Sequence, residues 1–147
     1  MEIAGSQTAK NLKTAFAAES LAASRYLYFA QKAETEGHDS IARAFRATAE
    51  TCLSQAHGHL EYLQSTGDPV TGEVLGTTDK NLAAALAEQR DAESIDYAAF
   101  AANAQADGFA ELKDWFKRLD ESRKQHLRTF TQALDELGEE EQEDDEG

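Results

Sequence analysis

Residues 50–63 (ETCLSQAHGHLEYL) bring two histidines, a cysteine, a glutamine and two carboxylates into one short stretch. Side chains of these types bind transition metals when several of them converge on one point. Residues three or four positions apart share a helix face, whereas His57 and Gln55, two positions apart, do not. Whether this stretch can hold a metal therefore depends on the helices that present its side chains.

The composition is that of an acidic, helix-forming chain. It has 147 residues, a single proline at position 69 and a net charge of −14 at pH 7. Nucleic-acid binding requires clustered Lys and Arg, so we expect no such partner. No apolar run approaches the roughly 20 residues of a membrane span, and no signal peptide is visible. Cys52 is the only cysteine, which fits a reducing compartment, and we expect a cytoplasmic protein.

The apolar pattern predicts an all-α fold. Steps of three and four residues define four helices, over about 8–36, 39–65, 78–106 and 108–137. Gly37 and Gly108 mark two short turns, and residues 65–78 form one long connection. This arrangement is typical of a ferritin-like four-helix bundle, in which two helical hairpins are joined by a long crossover. Residues 1–137 are therefore predicted to form the bundle.

Two further features concern the organisation of the chain. TAKNLKTAFAAE (8–19) matches TDKNLAAALAEQ (78–89) in part, which suggests two hairpins related by a pseudo-two-fold axis. Residues 139–147 (EEEQEDDEG) contain seven acidic residues and no basic one. We expect residues 138–147 to be a disordered acidic tail, serving either solubility or the docking of a protein partner.

Polar residues interrupt the apolar stripe of each predicted helix near its middle. Buried polar groups must be paired, so residues at one depth of a bundle should form a hydrogen-bonded network or a site. Cys52 is predicted to be a small core residue, with a reactive thiol as the alternative. The residues expected to share this layer are Glu19, Gln55, Gln89, Arg123 and His126.

The stretches TAFAAESLAASRYLYFAQKAETEG, FRATAE and YAAFAANAQADGF resemble the ferritin-like domain of the rubrerythrin family over residues 5–137. The rubredoxin-type Cys-x-x-Cys domain of many rubrerythrins is absent from the sequence. The resemblance implies two irons in the bundle centre and the reduction of peroxide. It also implies carboxylate ligands on all four helices, with Glu-x-x-His on the second and the fourth.

The sequence departs from that ligand pattern. Only Glu19 and His126 keep ligand residues at the positions that the resemblance assigns. The other positions hold neutral or cationic residues, namely Gln55 and Gly58 on the second helix, Gln89 and Ala92 on the third, and Arg123 on the fourth. Glutamine is a weak neutral ligand, and arginine is cationic without a free lone pair. We therefore expect no metal cofactor, and a polar core in which Arg123 balances the charge of Glu19.

Three functions follow from these residues. The first is a diverged, non-catalytic rubrerythrin-like protein that acts as a binding or structural partner, as a homodimer with a metal-free core. The alternative is a peroxidase or oxidase with a di-iron or mononuclear iron site. Such a site would use displaced ligands, namely Glu19, His59, Glu93 and His126. The third is the binding of a small ligand in the polar core.

Overall fold

The computed structural model of the chain describes residues 2–91 and 95–147. Its helices are α1 (Gln7–Thr35), α2 (Asp39–Leu63), α3 (Thr78–Arg90), α4 (Tyr97–Ala106) and α5 (Ala110–Glu146). No strand occurs in the described part, so the predicted all-α class is confirmed. None of the helices described is both long and apolar enough to cross a membrane. The chain divides into two compact units, the hairpin unit (Met1–Gly76) and the three-helix unit (Thr77–Gly147).

The hairpin unit is held together by a stripe of small residues. Its helices α1 and α2 pack against each other. Small side chains allow two helix backbones to approach closely. On α2 the buried residues recur at steps of seven, so that they stay on one face of the helix. The buried residues are Ala9, Ala23, Ala30 and Ala33 on α1, and Ala42, Ala49, Ala56 and Leu63 on α2.

This stripe corrects the predicted inner face of α2. Steps of three and four residues along the apolar pattern predict Ile41, Phe45 and Thr48 at the contact. Phe45 does meet α1, since its ring centroid lies 5.6 Å from that of Phe29 and 6.2 Å from that of Tyr26. In the structure Ile41 is 50% exposed and Thr48 is exposed, while Ala49 is fully buried. Averaged along α2, the buried face is rotated by about 60° from the predicted one. Ile41 and Thr48 give way to Ala42 and Ala49 because the close contact between α1 and α2 favours small side chains at these positions.

The turn between α1 and α2 confirms the predicted role of Gly37. Its φ of 82° lies in the left-handed region, where a side chain would be strained. The amides of Gly37 and His38 donate to the carbonyls of Glu34 (3.0 Å) and Ala33 (2.8 Å), the two bonds of a Schellman motif. Gly108, between α4 and α5, has a φ of 85° and ends its helix in the same way.

The predicted helix over 78–106 is wrong, because it is interrupted. α3 ends at Arg90, and Asp91 is already extended, with φ −73° and ψ 107°. The side chain of Asp96 accepts a hydrogen bond from the amide of Ala99 at 3.0 Å and so begins a new helix at Tyr97. Aspartate side chains compete with the backbone for such bonds, which favours caps over helix interiors.

The three-helix unit is built around α5, which packs against both α3 and α4. Phe100 of α4 meets Phe116 of α5 edge to face, with ring centroids 5.5 Å apart. Tyr97 extends this cluster, since its ring lies 5.9 Å from that of Phe100. α5 therefore connects the two helices on either side of the interruption.

The acidic end of the chain also differs from its prediction. α5 continues through Glu146, in place of the disordered tail expected from residue 138. Glutamate and glutamine are good helix formers, and extending an existing helix costs far less than starting one. Residues 139–147 are exposed in this helical form, so the segment adds no core.

Candidate functional site

In the hairpin unit, Glu19 of α1 and Cys52 of α2 lie together. Both residues are half-buried, and the carboxylate of Glu19 lies within hydrogen-bonding reach of the thiol of Cys52. Burial raises the pKa of the Cys52 thiol, and the hydrogen bond and negative charge of Glu19 raise it further. A raised pKa means that the folded protein favours the protonated thiol, which stabilises the fold. This stabilisation is present below the ordinary pKa of a thiol and is lost as the pH rises through the raised pKa of Cys52. Cys52 is therefore a neutral hydrogen-bond donor at neutral pH.

The second oxygen of Glu19 is unsatisfied. Its Oε2 atom is buried and has no hydrogen-bond partner in the part of the chain that the structure describes. A buried acceptor without a partner is costly, and a donor or a cation beside it would recover that cost. This oxygen therefore favours a donor or a cation beside it.

The residue of α2 that faces Glu19 is Cys52, whereas the prediction placed Gln55 there. At 100° per residue, Cys52 lies about 60° from Ala49 in the buried stripe, and Gln55 lies about 120° from it. Gln55 is accordingly exposed. Because the sequence analysis treated Cys52 as core, it missed this contact. Cys52 and Gln55 are three residues apart, as are the Glu and the His of Glu-x-x-His. That spacing is the signal that could have identified the contact of Cys52 with Glu19.

In the three-helix unit, Arg123 is bound to the end of α3. Its Nη2 donates to the carbonyls of Glu88 (2.8 Å) and Asp91 (3.1 Å), and its Nη1 donates to the carbonyl of Ile95. A guanidinium near the carboxyl end of a helix is also favoured by the helix dipole. Arg123 is thus engaged by backbone oxygen atoms of its own unit.

Gln89 and Arg123, two of the predicted site residues, line one cleft of the three-helix unit, with a volume of about 290 Å³. His126 is exposed, contrary to its predicted burial, although it lies three residues after Arg123 on α5. The remaining residues of the cleft are Arg90, Asp91, Ile95, Asp96, Tyr97 and Asp120. The cleft therefore mixes aspartates with arginines, without a dominant charge.

The structure describes only part of the displaced ligand set, Glu19, His59, Glu93 and His126. His59 is half-buried on α2, and Glu93 lies outside the described residues, as does Ala92. Among the residues that are described, no three His, Cys, Asp or Glu side chains form a group suited to a metal. That Glu19, Gln55, Gln89, Arg123 and His126 share one layer remains a prediction.

The residue types at the ligand positions that the family resemblance assigns, together with the neighbour of Glu19, do not fit a di-iron centre. Two irons require several anionic oxygen ligands to offset their charge. Glu19 supplies a carboxylate, but its neighbour Cys52 is a neutral thiol. Gln89 and Arg123 supply an amide and a cation. By residue type alone, these substitutions remove most of the anionic charge that two irons require.

These helices define a protein of the ferritin-like class, and comparison with known proteins identifies the family. The rubrerythrin family model matches residues 10–134, and the chain belongs to the rubrerythrin family. It is 35% identical to a rubrerythrin of Porphyromonas gingivalis over 136 residues, covering 90% of this chain and 68% of the relative. It is 31% identical to rubrerythrin-1 of Clostridium acetobutylicum, covering 88% and 71%. The predicted ferritin-like fold is thereby confirmed.

The contact between Glu19 and Cys52 predicts a change in thiol reactivity. Glu19→Gln removes the charge that raises the pKa of Cys52, so more thiolate forms at pH 8. We expect iodoacetamide to alkylate the variant about three to ten times faster than the wild type. Cys52 is the only cysteine, so mass spectrometry of the whole protein reports its reaction alone. Glu50→Gln, which alters an exposed carboxylate of the same helix, should leave the rate unchanged. Equal rates in all three proteins would contradict the contact.

Proposed function

We propose that this member of the rubrerythrin family has lost the di-iron centre and acts as a non-catalytic binding or structural protein. The observation that carries the proposal is the position of Arg123. It stands where the family resemblance expects a carboxylate ligand, and its guanidinium donates to the carbonyls of Glu88, Asp91 and Ile95. A cation fixed at this point repels a metal and offers it no lone pair.

The hairpin unit supports the same proposal. The contact of Cys52 with Glu19 favours a register in which Cys52 and Gln55 stand at the Glu-x-x-His positions of α2. A protonated thiol and an amide then replace a carboxylate and an imidazole. Both replacements are neutral, so this change also removes negative charge and a strong ligand.

The partners belong to the proposal as well. We propose a homodimer in the cytoplasm that binds neither nucleic acid nor membrane and carries no metal cofactor. The acidic end of α5 offers a surface for a basic protein partner, since residues 139–147 are exposed and carry seven acidic side chains.

A second candidate is a metal-dependent peroxidase or oxidase, and one observation favours it. The Oε2 atom of Glu19 is buried without a partner in the described chain, and a cation would satisfy it. The relatives are named rubrerythrins. In this candidate Glu19, His59, Glu93 and His126 would hold iron, and its chemistry would depend on ligands drawn from new positions.

The variant Arg123→Glu tests the first proposal. It restores a carboxylate at position 123, but the other missing ligands stay missing. We expect the purified, folded variant to contain far less than one iron per chain by elemental analysis. Arg128→Glu, which makes the same charge change at an exposed position of α5, is the matched control. One or more irons per chain in Arg123→Glu, but not in Arg128→Glu, would show that the charge of Arg123 alone had excluded the metal.

A further inference from the structure

We propose that Arg123 is a clamp that fixes the interruption between α3 and α4. One side chain of α5 reaches carbonyls on both sides of the interruption. It binds Glu88 in the last turn of α3, Asp91 at the end of that helix, and Ile95 just before α4 begins.

The interruption creates the need for such a clamp. The last carbonyls of a helix have no partner within the helix and must find donors elsewhere. The carbonyls of Glu88 and Asp91 are in this position because α3 ends at Arg90. Bonds from a charged donor to such oxygens are stronger than bonds between neutral groups. Arg123 therefore supplies charged donors to two carbonyls at this end of α3.

The geometry of the guanidinium suits this task. Its nitrogen atoms are held apart in a rigid plane, so one side chain can serve carbonyls that point from different directions. The neighbouring Lys124 does not take this role. Its ammonium lies 3.7 Å from Asp120 and 4.0 Å from Glu121, both on α5 itself.

The clamp makes the backbone of the interruption depend on the residue type at position 123, where the family resemblance expects a carboxylate ligand. A glutamate at position 123 would place an anion against three carbonyl oxygens and beside Asp91, Asp96 and Asp120 of the same cleft. The interruption, with its carbonyls directed at position 123, is therefore incompatible with a carboxylate ligand at that position of α5. This consequence rests on the proposed function, whereas the clamp itself does not.

Residue-resolved hydrogen exchange of the full-length protein tests the clamp. Three amides report on the interruption, since Asp91 donates to Ala87 (3.0 Å), Ala99 donates to the side chain of Asp96 (3.0 Å), and Phe100 donates to the carbonyl of Asp96 (3.1 Å). In Arg123→Met we expect these amides to exchange at least about tenfold faster than in the wild type.

Two comparisons make the result specific. The amides of Gly37 and His38 lie in the hairpin unit and should keep their protection, so that a general loss of stability is recognised. Arg128→Met removes an exposed arginine of α5 and should change none of the amides. If Arg123→Met does not fold, Arg123→Lys replaces it, because it keeps the charge but lacks the planar fork.

Unchanged protection of Asp91, Ala99 and Phe100 in the folded Arg123 variant would overturn the clamp. Equal acceleration at Gly37 and His38 would also overturn it, since the effect would then be global. Metal analysis of the same samples is independent of exchange. The clamp proposal can therefore be overturned while the protein is metal-free, and it can be supported while the protein contains metal.

Discussion

Leu63→Ala should lower the free energy of unfolding by about 2–5 kcal/mol, the range for leucine truncation in a packed core. Leu63 is the last residue of α2 and the largest fully buried side chain among the residues described, with an exposure of 0%. The substitution leaves a cavity because the carbonyl of Leu63 accepts from the amides of Thr66 (3.1 Å) and Gly67 (2.9 Å), which hold the backbone in place.

Urea unfolding followed by circular dichroism at 222 nm measures the loss. Leu53→Ala is the matched control, since it makes the same change in the same helix at a side chain that is 39% exposed. We expect the control to lose about 1 kcal/mol or less. Equal losses in the two variants would contradict the burial of Leu63 at the end of the hairpin.

Ala49→Leu should destabilise the hairpin unit by about 1–3 kcal/mol, because a larger side chain forces the two helices apart. Ala49 is fully buried in the alanine stripe of α2. Thr48→Leu is the control, since Thr48 is exposed although the sequence pattern placed it at the contact. Its loss should stay within about 0.5 kcal/mol. A greater loss in Thr48→Leu than in Ala49→Leu would restore the predicted face and contradict the observed one.

The helices α1 and α2 and the two short turns could be predicted from local sequence. Gly37 and Gly108 interrupt the apolar pattern at the two short turns, and each adopts the positive φ that a Schellman turn requires. The long connection between α2 and α3 was also evident from its proline and glycines. These features depend on a few neighbouring residues, so that sequence alone carries the information.

Features set by tertiary contacts could not be predicted in this way. Asp91 and Asp96 allow the helix to stop, but the hydrogen bonds from Arg123 to the interruption come from 28 to 35 residues further along the chain. Likewise, the apolar period defines a broad face of α2, and packing on α1 selects alanine within it. That selection turns Cys52 rather than Gln55 toward Glu19.

The residues of the predicted site differ in their surroundings. Gln89 and Arg123, two members of the predicted polar layer, line one cleft of the three-helix unit. The role given to Arg123 as the counter-charge of Glu19 stays a prediction, since the bonds described here bind it to the end of α3. Aspartates in the cleft and carbonyls at a helix end compete for the same cation, and composition alone does not reveal that competition.

The proposed loss of the metal centre is tested most directly by the metal content of the wild-type protein. The untagged protein would be purified from cells supplemented with iron and manganese and subjected to elemental analysis. We predict less than about one-tenth of a metal ion per chain, because Glu19 is left with a neutral thiol and Arg123 stands at a ligand position. One or two metal ions per chain would contradict a metal-free core and would favour the peroxidase or oxidase with displaced ligands.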